Sequence, residues 1–155
     1  MGQAIVLALA KSWEFAALAE YLATGDFSHS STFTYQQNYL KISTSERGWV
    51  QTENMLFDQP DHDDDYRAEY ESNDYLCEEF RRDVASLRFF TFRFNDIALM
   101  RNVLRWIMRC VVDRKELGWF DTDYGWVVSA EDFLRNTDQD PDWDWRIPAD
   151  SLTDT

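Results

Sequence analysis

The side chains that could do chemistry are concentrated in two acidic segments. The first segment is residues 61–65 and reads Asp61, His62, Asp63, Asp64 and Asp65. Two phenol side chains follow it, Tyr66 and Tyr70. Carboxylates beside an imidazole could hold a divalent cation or exchange protons. Carboxylates beside aromatic rings could instead bind a basic protein surface.

The second segment is residues 137–150, TDQDPDWDWRIPAD. Its aspartates alternate with other residues and are interleaved with two indoles: Asp138, Asp140, Asp142, Trp143, Asp144 and Trp145. The spacing D-x-D-x-D is that of the first half of an EF-hand calcium loop. Such a loop needs Gly at its sixth position and Glu at its twelfth, where this chain has Trp143 and Ala149. The segment is therefore not predicted to bind calcium.

The sequence lacks the common catalytic and nucleotide-binding motifs. His29 and His62 are the only histidines, both are predicted in surface loops, and neither belongs to an HxxxH, HxH or ExxH pattern. With five glycines in the chain, no GxGxxG or GxxxxGK[ST] loop is present. We predict no catalytic residue, no metal site and no cofactor. A divalent-metal enzyme built on Asp61–Asp65 is the weakest of the alternatives.

Net charge restricts the class of partner. The chain of 155 residues carries 15 Lys and Arg against 29 Asp and Glu, a net charge of -14. This excess argues against direct binding to nucleic-acid phosphates or to an anionic membrane, and favours a basic protein partner. Residues 81–115 reverse the sign, with nine basic and three acidic residues, so a dipolar molecule is expected.

Three arginines, Arg101, Arg105 and Arg109, are four residues apart and lie on one face of a predicted helix. We call them the arginine stripe. Like charges at this spacing repel by about a few tenths of a kcal/mol per pair. We predict that the protein's own acidic segments, either residues 61–65 or the tail, offset that repulsion. The alternative is a binding site for an anion or an acidic partner.

Periodicity of apolar residues gives the elements that must position these groups. Strands are predicted over residues 31–43, 48–56, 86–94 and 124–129. Helices are predicted over residues 12–25, 73–85, 97–117 and 129–136. Ser12, Asp96 and Ser129 are the expected N-caps. Residues 4–10 fit either a strand or a helix, and residues 58–72 are predicted as a long loop.

These elements indicate an α+β fold with one domain. The first two strands form an antiparallel hairpin, and the strand at 86–94 directs Phe90, Phe92 and Phe94 to one face and Leu87 and Phe89 to the other. The expected architecture is an antiparallel sheet of three to five strands, covered by helices on one face. Residues 1–136 form the compact domain. Residues 137–155 form an acidic tail that is either docked or flexible, and its indoles belong either to the core or to an interface.

The remaining features favour a cytoplasmic binding protein. Cys77 and Cys110 lack a CxxC spacing and are predicted to be buried free thiols in a reducing compartment, with one disulfide between them as the alternative. The N-terminal apolar run is neither a convincing signal peptide nor long enough to span a bilayer. We expect an inhibitor of a basic partner, similar in size and charge to the immunity proteins that neutralise secreted or delivered toxins such as nucleases. A DNA mimic of the antirestriction type is the main alternative.

The residues expected to contact that partner lie in the two acidic segments. They are Asp61, Asp63, Asp64, Asp65, Tyr66, Tyr70, Asp140, Asp142, Trp143, Asp144 and Trp145.

Overall fold

A computed structural model describes residues 3–25, 27, 32–36, 38–44, 47–54 and 62–147. These residues contain seven strands: β1 (Gln3–Ala10), β2 (Thr32–Gln36), β3 (Tyr39–Ser43), β4 (Trp49–Glu53), β5 (Leu87–Phe94), β6 (Gly118–Asp121) and β7 (Val127–Ser129). They also contain five α-helices: α1 (Phe15–Ala23), α2 (His62–Glu71), α3 (Glu78–Asp83), α4 (Ile97–Asp113) and α5 (Ala130–Gln139). His29 and Asp61 lie outside the described residues.

The strands form one sheet in the order β2-β3-β4-β5-β1-β6-β7, with every neighbouring pair antiparallel. The α+β class is confirmed, but the predicted three to five strands were too few. Residues 31–43 were predicted as one strand because apolar and polar residues alternate on both sides of the chain reversal. In the structure they form two strands: β2 ends at Gln36 and β3 begins at Tyr39. The apolar residues 4–10 form most of the central strand β1, and the four-residue β6 was not predicted.

One face of the sheet carries the larger core. Alternate residues of β5, Phe90, Phe92 and Phe94, pack there together with α1, α4 and α5, while Leu87 and Phe89 belong to the opposite face, as their alternation predicted. Both α4 and α5 start as expected. Asp96 Oδ1 accepts hydrogen bonds from two backbone N–H groups at the start of α4, and Ser129 Oγ accepts one at the start of α5.

Helices cover both faces of the sheet, which corrects the expectation that they cover only one. The second face carries a smaller core, in which α2 and α3 pack Tyr70 and Phe80 against Leu87 and Phe89. Helix α2 corrects a second expectation, because residues 58–72 were predicted as a loop. Its three aspartates lie in the first turn, where the helix dipole favours negative charge.

The predictions for the start of α1 and for the cysteines are confirmed only in part. Ser12 does not cap α1: Glu14 occupies the N-cap position, and the Ser12 hydroxyl donates to Glu116 Oε2 at 3.2 Å. Both cysteines are free as predicted, and Cys110 is buried as expected, but Cys77 is exposed, which corrects the expectation that both thiols are buried. Within the described ranges, no helix is both long enough and apolar enough to cross a membrane.

Candidate partner-binding site

Helix α2 docks on the sheet through an aromatic stripe. His62, Tyr66 and Tyr70 are spaced four residues apart and therefore share one helix face. Their ring centroids lie 4.8 Å apart for the first pair and 5.8 Å for the second, and the Tyr66 ring stacks on Phe89 at 5.6 Å. The Tyr70 hydroxyl donates to Asp121 Oδ2 at 2.9 Å. Tyr70 is buried by these contacts, so it supports α2 and is not exposed to a partner.

Asp63 anchors the beginning of α2 to the sheet. Strand β4 pairs with β5 only as far as Phe92, and beyond that point the Phe89 N–H donates to Asp63 Oδ1 at 3.2 Å. The other carboxylate oxygen lies 3.5 Å from Arg88 Nε. Burial by itself would raise the pKa of Asp63, but the contacts with His62, the Phe89 N–H and Arg88 outweigh it and hold the pKa below its ordinary value. Asp63 is therefore a structural residue.

A second stripe of α2, Asp65 and Glu69, borders an open cavity of about 360 Å³. Glu53 at the end of β4 lies on its strand side. Helix α2, β4 and β5 supply the lining: Gln51, Thr52, Glu53, His62, Asp65, Tyr66, Glu69, Thr91 and Arg93. We call this the α2 cavity. The cavity lies where α2 and α3 leave part of this face of the sheet uncovered, at β4.

The α2 cavity is negatively charged. Three carboxylates, those of Glu53, Asp65 and Glu69, line it against the single guanidinium of Arg93. All four side chains belong to exposed residues. Over the described ranges, no ion pair involves any of the three carboxylates. The cavity lining therefore carries an excess of two negative charges.

The inner part of the cavity presents neutral polar groups. The Tyr66 hydroxyl and Thr91 Oγ1 share one hydrogen bond of 3.0 Å. His62 is 7 % exposed, which corrects its predicted place in a surface loop. Its Nδ1 lies 3.6 Å from Asp63 Oδ1, too long for a hydrogen bond, and is a buried nitrogen without a hydrogen-bond partner. A buried polar atom left in this state is uncommon in folded proteins.

The remaining aspartate of the first segment points elsewhere. Asp64 is exposed and pairs with Arg67 three residues along α2. Consecutive helix positions diverge in direction, so Asp63, Asp64 and Asp65 do not converge on one point. Among the described residues, no group of three His, Cys, Asp or Glu side chains is placed to hold a metal ion. This geometry gives no support to an enzyme built on Asp61–Asp65.

The indoles of the second segment are core residues. Trp143 is 3 % exposed and Trp145 is 1 % exposed. The Trp145 ring lies 5.7 Å from Phe120 and 5.9 Å from Phe94, on the face of the sheet opposite α2. Both residues were predicted to contact a partner. Rings buried to this extent leave no surface for a partner. The structure shows the other predicted alternative, in which both rings pack on the protein's own sheet.

Two of the aspartates around these indoles, Asp140 and Asp144, accept hydrogen bonds from within their own segment. Asp140 Oδ1 accepts a hydrogen bond from the Asp142 N–H at 3.0 Å, and the Asp142 side chain is exposed. Asp144 accepts hydrogen bonds from Arg146 Nε at 2.9 and 2.8 Å. The bonds from Arg146 lower the pKa of Asp144 despite its partial burial. Residues 137–139 belong to α5, and residues 140–147 are docked on the core.

The arginine stripe pairs with this C-terminal segment, as one of the two sequence interpretations predicted. Arg101 is buried and donates through Nε to the Trp143 carbonyl at 2.9 Å and through Nη2 to the Asp142 carbonyl at 3.1 Å. Arg105 Nη2 donates to Asp138 Oδ1 at 2.9 Å, and Arg109 Nη2 lies 3.9 Å from the same atom. The hydrogen bond from Arg105 lowers the pKa of Asp138.

The structure therefore separates the residues that the sequence grouped into one binding surface. Of those residues, Asp65 and Tyr66 line the α2 cavity, while Asp63 and Tyr70 hold α2 in place. The C-terminal residues lie on the other face of the sheet. Sequence reasoning missed Glu53, Glu69 and Arg93. The spacing of Asp65 and Glu69 would have revealed one helix face, had residues 62–71 been recognised as a helix.

No protein-family model matches the chain, and no curated protein or solved structure is significantly similar to it. The chemistry of the α2 cavity therefore has to follow from its own geometry and charge. An open cavity lined by three carboxylates and a single guanidinium is suited to binding a further cationic group.

Proposed function

We propose that this protein is a small acidic binding protein that captures a basic protein partner and neutralises it, in the manner of an immunity protein acting on a secreted or delivered toxin such as a nuclease. The partner contacts the α2 cavity through the exposed carboxylates of Glu53, Asp65 and Glu69. In this proposal the protein has no catalytic activity of its own and works in the cytoplasm, where its two free thiols stay reduced.

The observation that carries the proposal is the set of carboxylates around the α2 cavity that form no ion pair with any residue the structure describes. Asp65 and Glu69 are four residues apart on one helix, a spacing at which like charges repel. Glu53 adds a third negative charge from the neighbouring strand. Such an arrangement weakens the free protein slightly and becomes favourable when a cation occupies the cavity. A basic partner provides that cation.

The charge of the whole molecule supports the same partner. A net charge of -14 attracts basic proteins over long distances and accelerates their encounter at low ionic strength. Exposed carboxylates outside the cavity, such as Asp64 and Asp142, contribute to this field without contacting the partner. Association should therefore slow markedly as salt increases, because the Debye length falls to roughly 8 Å at physiological ionic strength.

Capture of the partner from the native cells tests the proposal. The tagged protein should retain a basic protein at low salt, release it as salt increases, and abolish the partner's activity when the two are mixed. The double variant Asp65→Asn, Glu69→Gln should lose most of this binding. Asp64→Asn, Glu71→Gln is the matched control, because it removes the same charge from exposed positions of α2 outside the cavity.

Two results would contradict the proposal. One is the recovery of only acidic or neutral partners with salt-insensitive affinity. The other is an equal loss of binding in the two double variants, which would show that charge in general, rather than the α2 cavity, determines capture. An unaltered partner activity in the complex would remove the inhibitory role and leave only the binding.

A further inference from the structure

We propose that the α2 cavity is an arginine pocket, which receives one arginine side chain of the basic partner. This inference rests on the proposed function, because the arginine belongs to that partner. It adds the chemical identity of the group that enters the cavity. The argument uses the positions of the carboxylates, the neutral acceptors on the cavity floor and the buried His62.

The carboxylates lie on two walls of the cavity. Asp65 and Glu69 belong to α2, and Glu53 belongs to β4. Together with the other acidic and histidine side chains described, they form no group close enough to share one metal ion. A small cation bound at one wall would contact the carboxylates of that wall only. An extended cation with several donors could contact both walls.

A guanidinium group has the required shape. It is planar and presents five N–H donors in a fixed fork, whereas an ammonium group presents three donors at one point. Its donors can reach carboxylates on α2 and on β4 at the same time. Guanidinium is also less strongly hydrated than ammonium, so entering a partly enclosed cavity costs it less. The cavity of about 360 Å³ is large enough for one side chain and falls near the lower end of ligand pockets.

The cavity floor offers further acceptors. Tyr66 and Thr91 share a single hydrogen bond, so the two hydroxyl oxygens keep unused lone pairs. His62 supplies an independent sign that a ligand is missing. Its ring lines the cavity at 7 % exposure, and its buried Nδ1 has no hydrogen-bond partner among the described residues. A bound donor would satisfy polar groups that the protein leaves unsatisfied.

Arg93 reduces the excess negative charge of the cavity lining from three to two. Its guanidinium lines the cavity but forms no ion pair within the described ranges, so it does not occupy the site that the carboxylates define. One incoming guanidinium leaves one uncompensated negative charge in the lining. Removing Arg93 should therefore strengthen binding, opposite in direction to removing a carboxylate.

Three short peptides test the inference without the partner: N-acetyl-Gly-Arg-Gly-amide, the same peptide with lysine, and the same peptide with citrulline, the neutral counterpart of arginine. Titration into the full chain, followed by amide chemical shifts in NMR, should give millimolar binding of the arginine peptide with the largest shifts at Gln51, Glu53 and Thr91. The lysine peptide should bind about threefold or more weakly. The citrulline peptide should not bind at these concentrations.

Variants identify the cavity as the place of binding. Asp65→Asn, Glu69→Gln should weaken the arginine peptide about fivefold or more, whereas Asp64→Asn, Glu71→Gln should change its affinity less than twofold. Arg93→Gln should strengthen binding. All of these positions are exposed, and unchanged amide spectra outside the cavity would show that each variant is folded.

The outcomes separate this inference from the proposed function. Arginine-peptide shifts at the cavity together with no basic partner in cells would uphold the pocket and overturn the proposed function. A basic partner that binds while the arginine peptide leaves the cavity residues unshifted would overturn the pocket alone. Equal binding of the arginine and lysine peptides would also overturn it, because the preference for guanidinium is its central claim.

Discussion

Helix α2 and the C-terminal segment have nearly the same composition, with aspartates beside aromatic rings, yet the fold treats their charges differently. Both dock through their rings, Tyr66 and Tyr70 on one face of the sheet and Trp143 and Trp145 on the other. The C-terminal segment lies against the arginine stripe of α4 and carries Arg146 itself. The carboxylates of Asp65 and Glu69 have no such partners in the described structure.

This difference shows that composition alone does not separate a docking segment from a binding surface. Aromatic rings beside carboxylates are compatible with both, because the rings can be buried in either case. The decisive quantity is the position of the protein's own cations. Where they reach the carboxylates, as at Asp138 and Asp144, those charges are neutralised internally. Where they do not, negative potential remains available to a partner.

The largest expected effect is the truncation of a C-terminal indole. Trp145→Ala should lower the free energy of unfolding by about 3–5 kcal/mol, because the ring is 1 % exposed and packs on Phe94 and Phe120. Chemical denaturation measures this loss. Ile147→Ala is the matched control from the same segment, since Ile147 is 52 % exposed and should lose little. A stable Trp145→Ala protein would return the indole to the class of interface residues.

The next effect concerns the arginine that holds the C-terminal segment. Arg101→Met should cost about 2 kcal/mol, because it leaves the carbonyls of Asp142 and Trp143 without their charged donor. Denaturation of Arg109→Met provides the comparison. That arginine is mostly exposed and lies 3.9 Å from Asp138, so its loss should barely change stability. Equal losses in the two variants would contradict the view that Arg101 is a specific clamp.

A smaller and pH-dependent effect on the free energy of unfolding is expected for Asp63, which joins α2 to the sheet. The pKa of Asp63 is lowered in the folded state, so its carboxylate stabilises the fold above its unfolded pKa of about 4. That contribution is lost as pH falls through the lower folded value. Asp63→Asn should therefore cost about 1 kcal/mol at neutral pH, and the difference from the native protein should shrink as the pH falls below about 4.

Asp64→Asn tests whether this pH dependence belongs to Asp63. Asp64 is the next residue on α2, and its ion pair with Arg67 is exposed. Its substitution should leave both the stability at neutral pH and the acid-side slope nearly unchanged. If Asp64→Asn flattened the slope as much as Asp63→Asn, the first turn of α2 would act through its charge as a whole rather than through one anchoring carboxylate.

Much of the fold could be predicted because its signals are local. The alternation of Phe90, Phe92 and Phe94 determined which side of β5 faces the larger core, and the caps at Asp96 and Ser129 are set by side chains next to the backbone they satisfy. The strand count failed where the signal is not local. The chain reverses between Gln36 and Tyr39, so that Phe33 pairs with Ile42, and this pairing cannot be read from the alternation of either strand.

The candidate site was harder to predict because it depends on contacts between distant segments. Helix α2 has few apolar residues, and its buried stripe of His62, Tyr66 and Tyr70 consists of side chains that also suit a loop. Glu53 reaches the cavity only because β4 pairs with β5. The tail aspartates drew attention by their regular spacing, which reports on the local sequence and not on the cations that neutralise them.

The smallest expected effect on stability is at the α2 cavity itself. Asp65→Asn, Glu69→Gln should leave the free energy of unfolding unchanged or raise it by about a few tenths of a kcal/mol, since it removes a repulsive pair four residues apart on an exposed helix face. Denaturation at low salt should show the gain, and added salt should reduce it. A loss of 1 kcal/mol or more would mean that these carboxylates support the fold, as those of the C-terminal segment do, and the contrast between the two regions would disappear.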